Sequence, residues 1–220
     1  LKEPGKEERE VFSLKGEEIE KKSFALISKL LDCYALPEYG RFIIERVVHA
    51  SADFSLASLL VVKSGFIEKF REAVAKPGYT VFCDVSMVCH GISPSLIKRS
   101  GMILWEAVHS LECRQLADRT GSTRSEAAVE LAIAKGIRGF VFGNSPTGLL
   151  RLVDRIKAGY PVDWVIGCPV GLIMAAQAKE ELLSLEVPAV VLRGPRGGSP
   201  IAASIVNAML ARIFGDDGSD

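Results

Sequence analysis

The sequence predicts a single doubly wound α/β domain: a mostly parallel sheet of about five strands with helices on both faces. Three observations carry this. Apolar runs at residues 139–141, 164–166 and 190–192 each break into a glycine-containing turn, Gly143-Asn144-Ser145-Pro146-Thr147-Gly148, Gly167-Cys168-Pro169-Val170-Gly171 and Arg193-Gly194-Pro195-Arg196-Gly197-Gly198-Ser199. Runs of this kind read as buried parallel strands, and a helical stretch follows each turn. With 220 residues, 48% of them hydrophobic, the chain is long enough for one substantial core.

Residues 1–16 form a charged arm without a sustained apolar stripe, and residues 215–220 an acidic tail, leaving 17–214 as the domain. Ile19, Ser23, Leu26, Ile27, Leu30 and Leu31 recur at helical spacing and predict a first amphipathic helix. Pro37 fits the first turn of a second, whose apolar face uses Phe42, Ile43, Val47 and Val48 and whose end carries His49. Residues 66–76 read as helix, Pro77-Gly78 as a turn and residues 79–83 as the first core strand, followed directly by Asp84. A strand at 102–105, a helix at 111–118, a polar loop at 119–122 and a helix at 124–135 come next. Strand and helix then alternate, with helices after Pro146, Pro169 and Pro200.

Lys plus Arg (27) balances Asp plus Glu (27), so no global basic field recommends nucleic acid as a partner. No apolar stretch approaches membrane-spanning length and the charged start has no signal-peptide core, which predicts a cytoplasmic protein that does not engage a membrane. The five cysteines are odd in number and contain no C-x-x-C pair, so reduced thiols and no metal site are expected.

Glycine at the strand ends lets a ligand approach the backbone, and helix N-termini on the same rim favour an anion. A phosphate-binding G-x-x-x-x-G-K-[ST] is missing, as is a G-x-G-x-x-G after the first strand, so a nucleotide cofactor is not expected. The turn at Ser145 resembles a nucleophile elbow, but its second glycine comes one position late and Pro146 removes an amide that an oxyanion hole would use. Ser145 is read as an N-cap with Pro146 behind it, while Asn144 and Thr147 remain free to face a ligand. Thr123-Arg124-Ser125-Glu126 fits a capping box. Arg124 opposes the helix dipole there, and either points to solvent or clamps a carboxylate. Asp84 either caps the following helix or touches ligand, and Lys179 by default is solvated. On position alone His49 reads as a partner of its helix dipole ahead of a catalyst.

Taken in order, Ser23-Phe24, His49-Ala50, Cys83-Asp84 with Met87-Val88 and Gly91-Ile92, Thr123-Arg124-Ser125, Gly143 to Thr147, Gly167 to Gly171, Lys179 and Arg196 to Ser199 resemble the precorrin-8X methylmutase family of corrin biosynthesis. The resemblance runs from about Ile19 to Leu210. It implies a cofactor-free, homodimeric isomerase of Rossmann-like fold that moves a methyl group from C-11 to C-12 of a corrinoid, precorrin-8X or cobalt-precorrin-8, in cobalamin biosynthesis. His49 is then the general acid of a 1,5-sigmatropic shift, with Ser23, Asp84, Thr123, Arg124, Ser125, Asn144, Thr147, Lys179 and Arg196 binding the substrate. A macrocycle bearing many acetate and propionate groups suits the anion-favouring rim with Arg124 and Arg196. The chain departs from the family pattern at Gln177-Ala178, where Glu-Ser is usual, and at Gly148, where alanine is usual. A non-catalytic corrinoid carrier is the alternative, and the sequence leaves open whether the substrate contains cobalt.

Overall fold

In the computed structural model, which describes residues 16–215, helix α1 (Gly16–Leu31) and helix α2 (Arg41–Ser51) precede a six-stranded sheet. The strands are β1 (Leu60–Val62), β2 (Thr80–Cys83), β3 (Ile103–Trp105), β4 (Gly139–Phe142), β5 (Trp164–Gly167) and β6 (Ala189–Leu192), in the order β1-β6-β5-β4-β2-β3. The intervening helices are α3 (Phe66–Val74), α4 (Ser86–Gly91), α5 (Pro94–Ser100), α6 (Leu111–Thr120), α7 (Arg124–Ala134), α8 (Pro146–Lys157), α9 (Ala175–Leu183) and α10 (Ser199–Phe214).

The five anticipated strands are present and mutually parallel, and β1 is the addition. It pairs antiparallel with β6, Leu60 opposite Leu192 and Val62 opposite Val190. Three residues are too short to show a period of two, so only tertiary pairing identifies this edge. The anticipated arm overlaps the described residues only at Gly16, which begins α1, and the acidic tail only at Gly215, which caps α10; the rest of both segments lies outside.

Alternation along the strands divides the core. Val81, Cys83, Val141, Ile166 and Val190 face a cluster built with α1 to α5 and α10, while Phe82, Phe140, Phe142, Val165 and Val191 face one built with α6 to α9. The α10 helix is buried on most of its surface and packs against α2 and α4, which explains its apolar, alanine-rich sequence.

Three local expectations are corrected. Pro37 is not in the first turn of α2: that helix starts at Arg41 behind Gly40, whose φ of 82° suits glycine, and a Cβ there would lie 2.8 Å from Val62. The apolar stripe of α1 is wider than its buried face, because Ile27 and Leu31 turn inward while Ile19, Leu26 and Leu30 remain exposed. The helix expected after Pro169 begins only at Ala175, and the preceding loop exposes Leu172 and Ile173 almost completely. Met174 at φ 65° supplies the turn into it.

Candidate active site

Strand order reverses between β2 and β4, since β3 lies on one side of that pair and β5 and β6 on the other. In an open parallel sheet, the crevice outside the carboxyl ends at such a reversal is where ligands bind. Asp84 follows β2, Asn144 follows β4, Pro169 follows β5 and Gly194 follows β6, so the four anticipated loops share this rim.

The rim is tightly built. A Cβ at Gly143 would lie 2.6 Å from the Ser199 Cα, and one at Gly197 would lie 2.2 Å from the Cys168 carbonyl oxygen, so both loops close only with glycine. Asp84 lies beneath them, 1% exposed. Its carboxylate accepts hydrogen bonds from the backbone amides of Gly143 (3.0 Å), Asn144 (2.7 Å) and Ser145 (2.7 Å). Burial raises the carboxyl above its usual range against the pull of those amides. Asp84 therefore does not cap α4, whose N-cap is Val85 without a side-chain bond; it fixes the β4 loop instead.

Beyond that loop, the Ser145 hydroxyl accepts from the Gly148 amide at 3.0 Å and Pro146 fills the first turn of α8. Ser145 is thus an N-cap, 5% exposed, which disposes of the hydrolase reading. Thr147 bonds Thr123 at 3.1 Å, joining the N-terminus of α8 to that of α7, where Thr123 and Glu126 complete the capping box. Arg124 and Asn144 are exposed at this junction and Ser125 is half-buried. Among the described residues the Arg124 guanidinium has no carboxylate partner.

Two cationic expectations change. Lys179 is not solvated but fully buried; its Nζ donates to the Arg196 carbonyl at 2.7 Å, and burial lowers its pKa to about 8. Arg196 is not a free clamp either, since its Nη1 donates to Asp53 Oδ2 and Ser55 Oγ, both at 2.8 Å, tying the β6 turn to the segment after α2. Asp53 and Ser55 thus occupy Nη1, and a substrate carboxylate would meet a guanidinium already paired with Asp53. The five thiols are free; Cys168, beneath the rim, is wholly buried, which pushes it up to about 12 and away from nucleophilic chemistry.

His49 stands in the last turn of α2, beside a cleft of about 470 Å³ between α2, α4 and α10 whose lining includes Arg46, His49, Met87, His90, Pro200 and Asn207. The helix end does not need the imidazole, because the Ser51 hydroxyl and the Ala52 amide already bond the Val47 and Val48 carbonyls. Instead the ring stacks on Phe24 of α1, centroids 4.6 Å apart and planes inclined by 16°. Ser23 turns its hydroxyl back to the Ile19 carbonyl of its own helix at 2.8 Å. His90 Nδ1 donates to the Ser86 carbonyl at 2.7 Å, which directs its other nitrogen away from its own helix. Asn207 braces the cleft by accepting from the Ser93 amide and donating to the Gly91 carbonyl.

The family model described as precorrin-8X methylmutase matches residues 18–212. The chain belongs to the precorrin-8X methylmutase family. A cobalt-precorrin-8 methylmutase from Salmonella typhimurium is 36% identical over 204 residues, covering 89% of this chain and 94% of that protein. One from Methanothermobacter thermautotrophicus is 34% identical over 201 residues, covering 89% and 93%. A solved precorrin-8X methylmutase from Thermus thermophilus superposes with a TM-score of 0.83 at 30% identity, over 93% of this chain and 99% of that one.

Within this methylmutase scaffold the departure at Gln177 is peripheral: its amide reaches Glu181 at 3.3 Å on the exposed side of α9, while Ala178 packs in the core. Sequence reasoning missed Phe24 as a contact of His49, and missed Arg46, His90 and Asn207 as cleft residues. Arg46 was one helical turn before His49 and so on the same face, a signal that was available. The others come from distant segments. Among the described residues no helix is long and apolar enough to cross a membrane, and no three His, Cys, Asp or Glu side chains are grouped as metal ligands.

Proposed function

We propose that this chain is an isomerase of cobalamin biosynthesis that moves a methyl group from C-11 to C-12 of precorrin-8X or cobalt-precorrin-8, giving hydrogenobyrinic or cobyrinic acid. The observation that carries the reading is His49, an imidazole free of helix-capping duty, lining a cleft next to the carboxyl rim of the sheet. A sigmatropic shift requires neither nucleophile nor redox partner, so the protein has only to hold the macrocycle and deliver a proton where charge develops. His49 donates that proton and recovers it once the methyl has moved, so that substrate and product remain isomers. Cobalt, where the macrocycle carries it, is part of the substrate. A carrier would use the same rim without turnover, and incubation with precorrin-8X, followed by the change in the absorption spectrum, separates the two.

Carboxylate recognition falls to Arg124, Asn144 and Thr147, with the N-termini of α7 and α8 beside them. Asp84, Thr123 and Lys179 contribute by holding the loops in register. Replacing Arg124 with alanine is expected to weaken product binding by about 1.5 to 3 kcal/mol, the worth of a charge-assisted bond. An unchanged dissociation constant by titration calorimetry would return Arg124 to the solvent.

The protein acts as a cytoplasmic homodimer in this proposal. Free thiols support the compartment. The uncovered stripe of Ile19 (44% exposed), Leu26 (57%) and Leu30 (42%) supports self-association. Leu26→Asp should shift the sedimentation coefficient to that of a monomer at micromolar concentration; an unaltered dimer would remove α1 from the interface.

A further inference from the structure

We propose that Phe24 is the positioning residue for His49. The inference rests on the assignment of His49 as the acid. Four residues on two helices make the unit. Glu20 and Phe24 are one turn apart on α1, and Arg46 and His49 one turn apart on α2, so each pair shares a face and the two faces meet.

The contacts are mutually reinforcing. Arg46 Nη1 is 2.9 Å from Glu20 Oε1, and its guanidinium carbon lies 4.5 Å from the centroid of the Phe24 ring. The same ring stacks almost parallel on the His49 imidazole at 4.6 Å. Phe24 is thus touched from α2 both at His49 and one turn before it. A histidine in the last turn of a helix has two rotatable side-chain bonds. A flat hydrocarbon surface against one face removes the rotations that would carry the ring through that surface, and leaves the ring edge, where the nitrogens are, as the part able to turn to the cleft. Proton delivery to a defined carbon depends steeply on such placement, since a displacement of about 1 Å can cost on the order of a hundredfold. Phe24 does not line the cleft with His49, so its action is through the histidine rather than on the macrocycle.

The test compares Phe24→Leu, Phe24→Tyr and His49→Ala, each shown to be folded by circular dichroism. Phe24→Leu should lower kcat by on the order of tenfold with KM within about twofold, while Phe24→Tyr, which keeps the ring, should restore kcat to within about twofold. Carbon-bound imidazole protons of His49, followed by NMR, should lose their upfield ring-current displacement in Phe24→Leu and keep it in Phe24→Tyr. A Phe24→Leu enzyme with full kcat, or one whose loss lies wholly in KM, would overturn the proposal. If the ring-current shift responds as stated but His49→Ala turns over normally, it is the acid assignment that fails, and the positioning role falls with it.

Discussion

Replacing His49 with alanine is expected to lower turnover by on the order of a hundredfold or more, the usual worth of a positioned general acid, while leaving corrinoid product affinity within a few fold. The separation follows from geometry. His49 lies on α2 beside the cleft, whereas the exposed polar groups suited to carboxylates, Arg124 and Asn144, stand at the N-termini of α7 and α8. Deleting the imidazole leaves the end of α2 capped by Ser51 and Ala52 and removes only its stack on Phe24, a contact remote from the carboxylate-binding groups. A pure binding residue would produce the opposite pattern, with affinity lost and kcat retained. Near-normal turnover by folded His49→Ala protein would rule the histidine out as the acid.

The largest structural effect is expected at Asp84. Alanine there strands the amides of Gly143, Asn144 and Ser145, all of which now donate to one buried carboxylate. Hydrogen bonds to a charged acceptor are worth about 1.5 to 3 kcal/mol each, and neighbouring losses are not additive, so a destabilisation of about 3 to 5 kcal/mol is expected. Urea unfolding should report it as a lower midpoint with little change in slope. Product affinity should fall as well, because the β4 loop that presents Asn144 and Thr147 loses its anchor. A loss below about 1 kcal/mol would mean that the loop is held by its packing on Ser199 instead.

Much of the fold was legible because its strands are short, buried and punctuated. Residues 139–141, 164–166 and 190–192 announce themselves by apolar runs ending in glycine, and Ser145-Pro146 and Thr123 to Glu126 are capping signals whose geometry is local. What was illegible depends on contacts across the chain. Strand β1 exists because Val61 finds Val191, 130 positions away in the numbering, and nothing within residues 60–62 encodes that. Arg196 read as a free clamp because Asp53 is remote in sequence, and Lys179 read as solvated because its acceptor is a carbonyl on another loop. The same limit applies to the site. His49 could be placed at a helix end from spacing, but its stacking on Phe24 and its separation from the capping of α2 required the packing of α1 against α2.

The central claim, that the cleft and rim together perform an intramolecular methyl shift, is tested most directly by substrate carrying a carbon-13 label in the C-11 methyl group. After incubation with the purified protein, the expected result is product of unchanged mass whose labelled methyl resonance has moved to that of C-12, in amounts exceeding the enzyme. Label that stays at C-11 while the macrocycle binds tightly would contradict it and leave a corrinoid carrier.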